Sequence, residues 1–305
     1  MSSRERQPEH EGATGPQYAI HAYAWTTSWS NDDLHLIDHA AALGLDLIEI
    51  PLMEPEKVDP LAIRARAEAC GIGLVTSVAV ADDADPSSED EHVRQNARDF
   101  LTTCVDLTAD MGAQVFTGVV YSAMGRRPDR GPSAADLRRS ADVLKDVARH
   151  AAGRGVTIGI EAVNRYETFL VNTAEQALAL ADLIDETNVG VHLDAYHMNI
   201  EEDDFYTATR SADGRLVHFH LSESHRGIPG RGTVDWDGIY RALAESGYSG
   251  IVGLESFESP SESMRAATCI WRKLAPSSDV LVTEGLAFLK KLERRHYSGV
   301  AGAVS

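Results

Sequence analysis

Four stretches late in the chain carry an apolar run into side chains that can bind a metal or move a proton. "TIGIEAVN" meets Glu161, "NVGVHLDAYH" meets Asp194 and then His197, "LVHFHLSE" holds His218 and His220, and "GIVGLESF" meets Glu255. A single carboxylate in such a place is accounted for by capping a helix or pairing an arginine. Four in succession point to a common task. Glu161, Asp194, His220 and Glu255 offer three carboxylates and one imidazole, an oxygen-rich set that suits one divalent ion, manganese foremost, with cobalt or magnesium as alternatives. A thiolate zinc site is not indicated. The three cysteines, Cys70, Cys104 and Cys269, are far apart with no C-x-x-C spacing, and read as reduced core residues.

The histidines separate by position. His218 and His220 share one face of an extended strand because the side-chain period is two, and Phe219 points the other way. Only His220, nearer the strand's carboxyl end, is placed to bind the ion; His218 becomes a buried, hydrogen-bonded neighbour. His192 precedes its strand end by two residues and reads as structural. His197 lies past the strand end, where it can meet a ligand of the ion. Glu201 and Glu202 read as the acidic start of a following helical segment, with no chemistry of their own.

Something must hold these side chains in register. Eight short runs rich in β-branched and aliphatic residues recur, from "YAIHAYAW" to "GIVGLESF", and between them lie segments with helical spacing such as "DDLHLIDHAAALG" and "VDWDGIYRALAESG". Gly44, Gly71, Gly112, Gly155 and Gly247 stand where helices should stop in the left-handed conformation. Eight alternating strands and helices predict a single-domain parallel (β/α)₈ barrel over residues 18–293, with a disordered extension over 1–17 and a tail over 294–305. In such a barrel the loops after the strands' carboxyl ends build the active site.

Bulk properties narrow the function. With 47 Asp and Glu against 28 Lys and Arg, a net charge of -19, the chain is a poor partner for a nucleic-acid backbone. No run is long enough to span a bilayer and no leader opens the chain, so a cytoplasmic location is expected. No G-x-G-x-x-G follows the first strand and no G-x-x-x-x-G-K-[ST] occurs, so no nucleotide cofactor is expected.

The segments "IEAVNRYET", "HLDAYHMNIEE", "HFHLSESHRGIPGRGTVDW" and "GLESF" closely resemble those of the ketose 3-epimerases, the D-tagatose, D-allulose (D-psicose) and L-ribulose 3-epimerases of the xylose isomerase-like barrels. The likeness runs, more weakly, from about Tyr18 to Leu292. It implies a metal-dependent epimerase acting on a free ketohexose or ketopentose, with Glu161, Asp194, His220 and Glu255 on the ion and Glu161 and Glu255 exchanging a proton at carbon 3 through an enediolate. It further implies Glu167, His197 and Arg226 on the sugar's oxygens, with Trp29, Ser77, Met124 and Phe257 lining the pocket. A homodimer or homotetramer is the implied assembly. For Arg226 the competing reading is an exposed loop arginine paired with Glu223. Where many members carry a tryptophan after the fourth strand, this chain has Ala123 and Met124, a softer wall for the distal part of a sugar. Two rival readings keep the same barrel: an aldose–ketose isomerase or keto-glycoside lyase or hydratase, and a non-catalytic sugar-binding barrel with a structural ion.

Overall fold

The computed structural model describes residues 15–258, 262, 265 and 268–300, with residues 299 and 300 as backbone only. Strands β1 (Gln17–His21), β2 (Leu47–Pro51), β3 (Gly73–Ala79), β4 (Val115–Val119), β5 (Thr157–Glu161), β6 (Val189–Asp194), β7 (Leu216–His220) and β8 (Ile251–Leu254) pair in chain order. All neighbours are parallel, and β1 closes on β8 with Ala19 opposite Gly253. The outer layer comprises α1 (His35–Ala42), α2 (Pro60–Cys70), α3 (Glu91–Asp110), α4 (Ala134–Gly153), α5 (Ala174–Ile184), α6 (Ala195–Glu201), α7 (Phe205–Ser211), α8 (Trp236–Glu245) and α9 (Ser278–Val300). The fold is the expected (β/α)₈ barrel. Of the extension expected over 1–17, residues 1–14 lie outside the described residues, and Gln17 already belongs to β1. The tail expected over 294–305 begins inside α9, and 301–305 lie outside the described residues.

The strands are buried on both faces, as parallel strands under a helical layer must be. Between strands and helices lies the main core, including Tyr18, Ile48, Phe116, Leu193 and Phe219. Inside the barrel the floor is apolar: Ala19, Leu47 and Val75 pack with Val115 and Ile251. The five glycines expected to end helices all have positive φ, between 63° and 83°. No helix among the described residues is long and apolar enough to cross a membrane.

Above that floor the interior turns polar, and one irregularity sets the arrangement. Between β6 and β7 the pairing slips: Val191 faces Leu216, yet His192 faces His218 and Asp194 faces His220. A one-residue slip exchanges which side chains share a face. Here it sets two histidines of β7 beside His192 and Asp194. Gly253 of β8 makes room for them, since a Cβ there would sit 3.1 Å from His218 Cε1 and 3.2 Å from His220 Cδ2.

Candidate metal and active site

Glu161, Asp194 and His220 are the last residues of β5, β6 and β7, and Glu255 directly follows β8. One ligand atom from each lies within 4.8 Å of all the others. His220 Nδ1 stands 3.3 Å from Glu255 Oε2, 3.8 Å from Glu161 Oε1 and 3.9 Å from Asp194 Oδ2. It is buried and has no hydrogen-bond partner among the described residues. The three carboxylates around this nitrogen favour a cation between them. Against burial, Glu49, Glu255 and Glu161 raise His220 well above the usual imidazole value, so a proton on that ring or a metal ion can supply the cation. The donor set therefore fits one divalent ion.

Burial acts on each acid differently. It pushes Asp194 up to about 7 despite the nearby Arg226, and it raises Glu161 as well, against the pull of His220. At Glu255 burial is outweighed by Arg226 and His220, which hold the carboxyl well below its usual range. The proton affinities of two glutamates in one cavity are thus shifted in opposite directions. A bound cation would favour the ionised form of both.

Arg226 crosses the mouth of this cluster. Its Nη1 donates to Asp194 Oδ2 at 2.7 Å, to Ser222 Oγ at 3.1 Å and to Glu255. Its guanidinium lies 4.2 Å from the Tyr196 ring centre and 5.7 Å from that of Phe257. The pairing with Glu223 does not occur through side chains: Glu223 accepts from Trp236 Nε1 and from the N–H groups of Ser224, Gly230 and Val234. Arg226 also has φ of +61°, held by its N–H to Glu223 O and its carbonyl to Phe257 N. A non-glycine residue pays strain to sit there, and the surrounding bonds impose it.

His197, in the first turns of α6, accepts at Nδ1 from Asn164 N at 3.1 Å and from Asn164 Nδ2 at 2.8 Å. Burial, then Arg226, lowers it well below the usual imidazole value. Its Nε2 stands 3.1 Å from Arg226 Nη2, a group that only donates, 3.7 Å from Asp194 Oδ2 and 3.9 Å from Glu161 Oε1. Glu167 Oε1 accepts from the same Asn164 amide at 2.8 Å, and its Oε2 is 4.0 Å from His197 Nε2. Phe257 is buried; so is Trp29, whose Nε1 has no partner among the described residues. Ser77, at the upper part of β3, bonds His21 Nε2 at 3.2 Å. Met124 is 38% exposed at the rim, beside the buried Ala123.

Sequence reasoning overlooked several partners. Glu49 of β2 is wholly buried and bonds both His218 and His220; a lone acid inside "LIEIP" was the available signal. His21, Asn164 and Tyr196 also enter the site, while Thr117 Oγ1 meets His192 Nδ1 at 2.8 Å beneath it. Two expectations are corrected. Cys269 is exposed, with only Cys104 buried, because it lies in the segment after β8 and not in a strand or helix facing the core. Glu201 ends α6 and does not start a helix; its carboxylate takes Arg165, while Glu202 accepts from Ala174 N at the start of α5.

Residues 37–292 match the family model described as xylose isomerase-like TIM barrel. The chain is 36% identical over 273 residues to a ketose 3-epimerase of Arthrobacter globiformis, covering 88% of this chain and 94% of that protein. It is 35% identical over 273 residues to the L-ribulose 3-epimerase of Mesorhizobium japonicum, covering 88% and 92%. Among solved structures, the D-allulose 3-epimerase from Methylomonas sp. in complex with D-allulose superposes with a TM-score of 0.87 at 32% identity, covering 91% of this chain and 97% of that one.

Proposed function

Because the chain belongs to the ketose 3-epimerases of the xylose isomerase-like TIM barrel family, we propose that it inverts carbon 3 of a free ketose with the help of one divalent metal ion. The observation that carries this reading is the convergence of Glu161, Asp194, His220 and Glu255 around one unsatisfied imidazole nitrogen at the strands' carboxyl ends. Those four residues would hold the ion, Mn²⁺ foremost, which when bound supplies Lewis acidity toward a ketone oxygen.

The remaining steps belong to this chain's side chains. Epimerisation needs a base on one face of carbon 3 and an acid on the other, and Glu161 and Glu255, which share this cavity with Asp194 and whose proton affinities are shifted in opposite directions, are the pair for it. One removes the proton as an enediolate forms on the sugar, and the other returns a proton from the opposite face. Their roles exchange with the direction of reaction. His197 and the Arg226 guanidinium, joined at 3.1 Å, face the sugar oxygens, with the guanidinium as hydrogen-bond donor and the Glu167 carboxylate as acceptor for a hydroxyl. Trp29, Ser77, Phe257 and Met124 shape the pocket wall, and the softer Met124 side of the rim supports a broad grip on the distal hydroxyls.

Incubation of metal-loaded protein in D₂O with D-fructose, D-allulose, D-tagatose and L-ribulose in turn, with the ion chelated before proton NMR, tests the reaction. Deuterium at carbon 3 and a 3-epimer product are expected. An aldose product would move the chain to isomerase chemistry, and sugar binding without any exchange would make it a binding protein.

A further inference from the structure

Glu49 is a buried charge that the proposed reaction does not use. It has no exposed surface, and its Oε2 accepts from His218 Nε2 at 2.9 Å and from His220 Nε2 at 2.8 Å. Its other oxygen has no hydrogen-bond partner among the described residues and stands 3.6 Å from His21 Nε2. Every other residue of β2 is apolar, so an acid at this depth is costly to fold around unless it has work to do. An ionised carboxylate only accepts, so each imidazole must present a proton at Nε2. In the neutral, metal-binding ring of His220 that leaves Nδ1 as the lone-pair nitrogen, and Nδ1 is the atom turned toward Glu161, Asp194 and Glu255.

We propose that Glu49 is the positioning residue of the metal site: it fixes His220 as its Nε2–H form, aims Nδ1 at the three carboxylates, and so sets how tightly the cation is held. The inference rests on the metal reading above and adds a residue to it. A carboxylate behind a ligating histidine orients the ring and raises its basicity, and its loss typically weakens metal binding. The rival arrangement is a second ion among His192, His218 and His220, whose ring nitrogens also lie within 4.8 Å of one another. Glu49 already holds a nitrogen of two of those three rings.

Titration calorimetry of metal-free protein with MnCl₂, together with the visible spectrum of the Co²⁺-loaded form, separates these cases. Wild type should take up one ion per chain. Glu49→Gln, and Glu49→Asp, which keeps the charge but withdraws the oxygen from both rings, should still take up one ion, about 10–100-fold more weakly, with a shifted Co²⁺ band. Thr76→Val, which removes a buried hydroxyl pair with Thr108 on the far side of the sheet, should bind as wild type does. If Glu49→Gln does not fold, as judged by circular dichroism, Glu49→Asp carries the test. Wild-type affinity with an unchanged spectrum in the Glu49 variants would overturn the proposal. So would two ions in wild type falling to one in the variants, which would make the histidine trio a site in its own right. Wild type that binds no ion would instead remove the metal reading itself, a result read on a different protein sample.

Discussion

At Glu161 and Glu255 the two carboxyls share one cavity and one imidazole, yet burial raises the first while Arg226 and His220 hold down the second. If each carries a proton on one face of carbon 3, replacing either by glutamine removes a proton-transfer group and keeps its shape. Each of Glu161→Gln and Glu255→Gln should then lower kcat by about 10²–10⁴-fold; epimerisation at the wild-type rate in either variant would end the two-base assignment. Arg226 balances the charge of these acids, and its planar fork spans Asp194, Ser222 and Glu255 between two aromatic rings. Lysine cannot reproduce that geometry. Arg226→Lys should reduce kcat/KM by about 10–100-fold, the worth of a charged hydrogen bond, measured by steady-state epimerisation. The strand-end acids and His220 were legible because each interrupts an apolar run at the same point of a repeating unit. Glu49 and His21 were not, since a single polar residue inside a strand says nothing of what faces it across the barrel. The left-handed φ of Arg226 had no local signal either, because the contacts that impose it come from Glu223 and Phe257.

Among the elements, the β4–α4 connection carries the rim residue Met124 and is anchored at both ends. Ser122 Oγ meets Thr168 Oγ1 at 2.7 Å, Tyr121 OH donates to Val171 O at 3.0 Å, and Gly125 N donates to Glu167 O at 2.6 Å, tying this loop to the one that holds Glu167. At its far end Asp136, fully buried, accepts from Ser133 N at 2.8 Å in a capping box and pairs with Arg130 at 2.6 Å and Arg139 at 2.5 Å. The Arg130 bond, with Ser133 assisting, holds the Asp136 carboxyl well below the usual range. Both arginines are partly solvated, so water replaces much of what they lose. Asp136→Asn should cost about 1–2 kcal/mol by urea denaturation at pH 7. The sign follows from a depressed folded-state value: the stabilisation is whole above the unfolded value of about 4 and is lost as pH falls through the folded one, so wild type and variant should converge toward acid. A gap that stayed constant down to acid would assign the effect to packing. Element ends of this kind were partly legible. The helix-stopping glycines could be read because only glycine takes positive φ freely. The β6–β7 slip could not, since register depends on a partner strand.

For the molecule as a whole, the eight-fold alternation predicts the closed barrel, and closure concentrates the carboxylates of Glu161, Asp194 and Glu255, with His220, on one side of its mouth. Mutual repulsion among these carboxylates works against folding, and in the metal-free chain Arg226 and the proton affinity of the raised Asp194 and Glu161 relieve it. A divalent ion bound by four strands would relieve it further and only in the folded state, because the unfolded chain does not bring these residues together. Folding and binding are then linked: at a free-ion concentration of 100 times Kd the native state gains about 2.7 kcal/mol. At roughly 2–4 °C per kcal/mol for a large domain, thermal denaturation should shift upward by roughly 5–10 °C on adding Mn²⁺ to chelator-treated protein, and return on adding excess chelator. The same ion added to Asp194→Asn, which keeps the side-chain shape and removes one ligand charge, should give a much smaller shift at equal concentration. An equal shift in both proteins would mean that the ion acts away from the four strand ends.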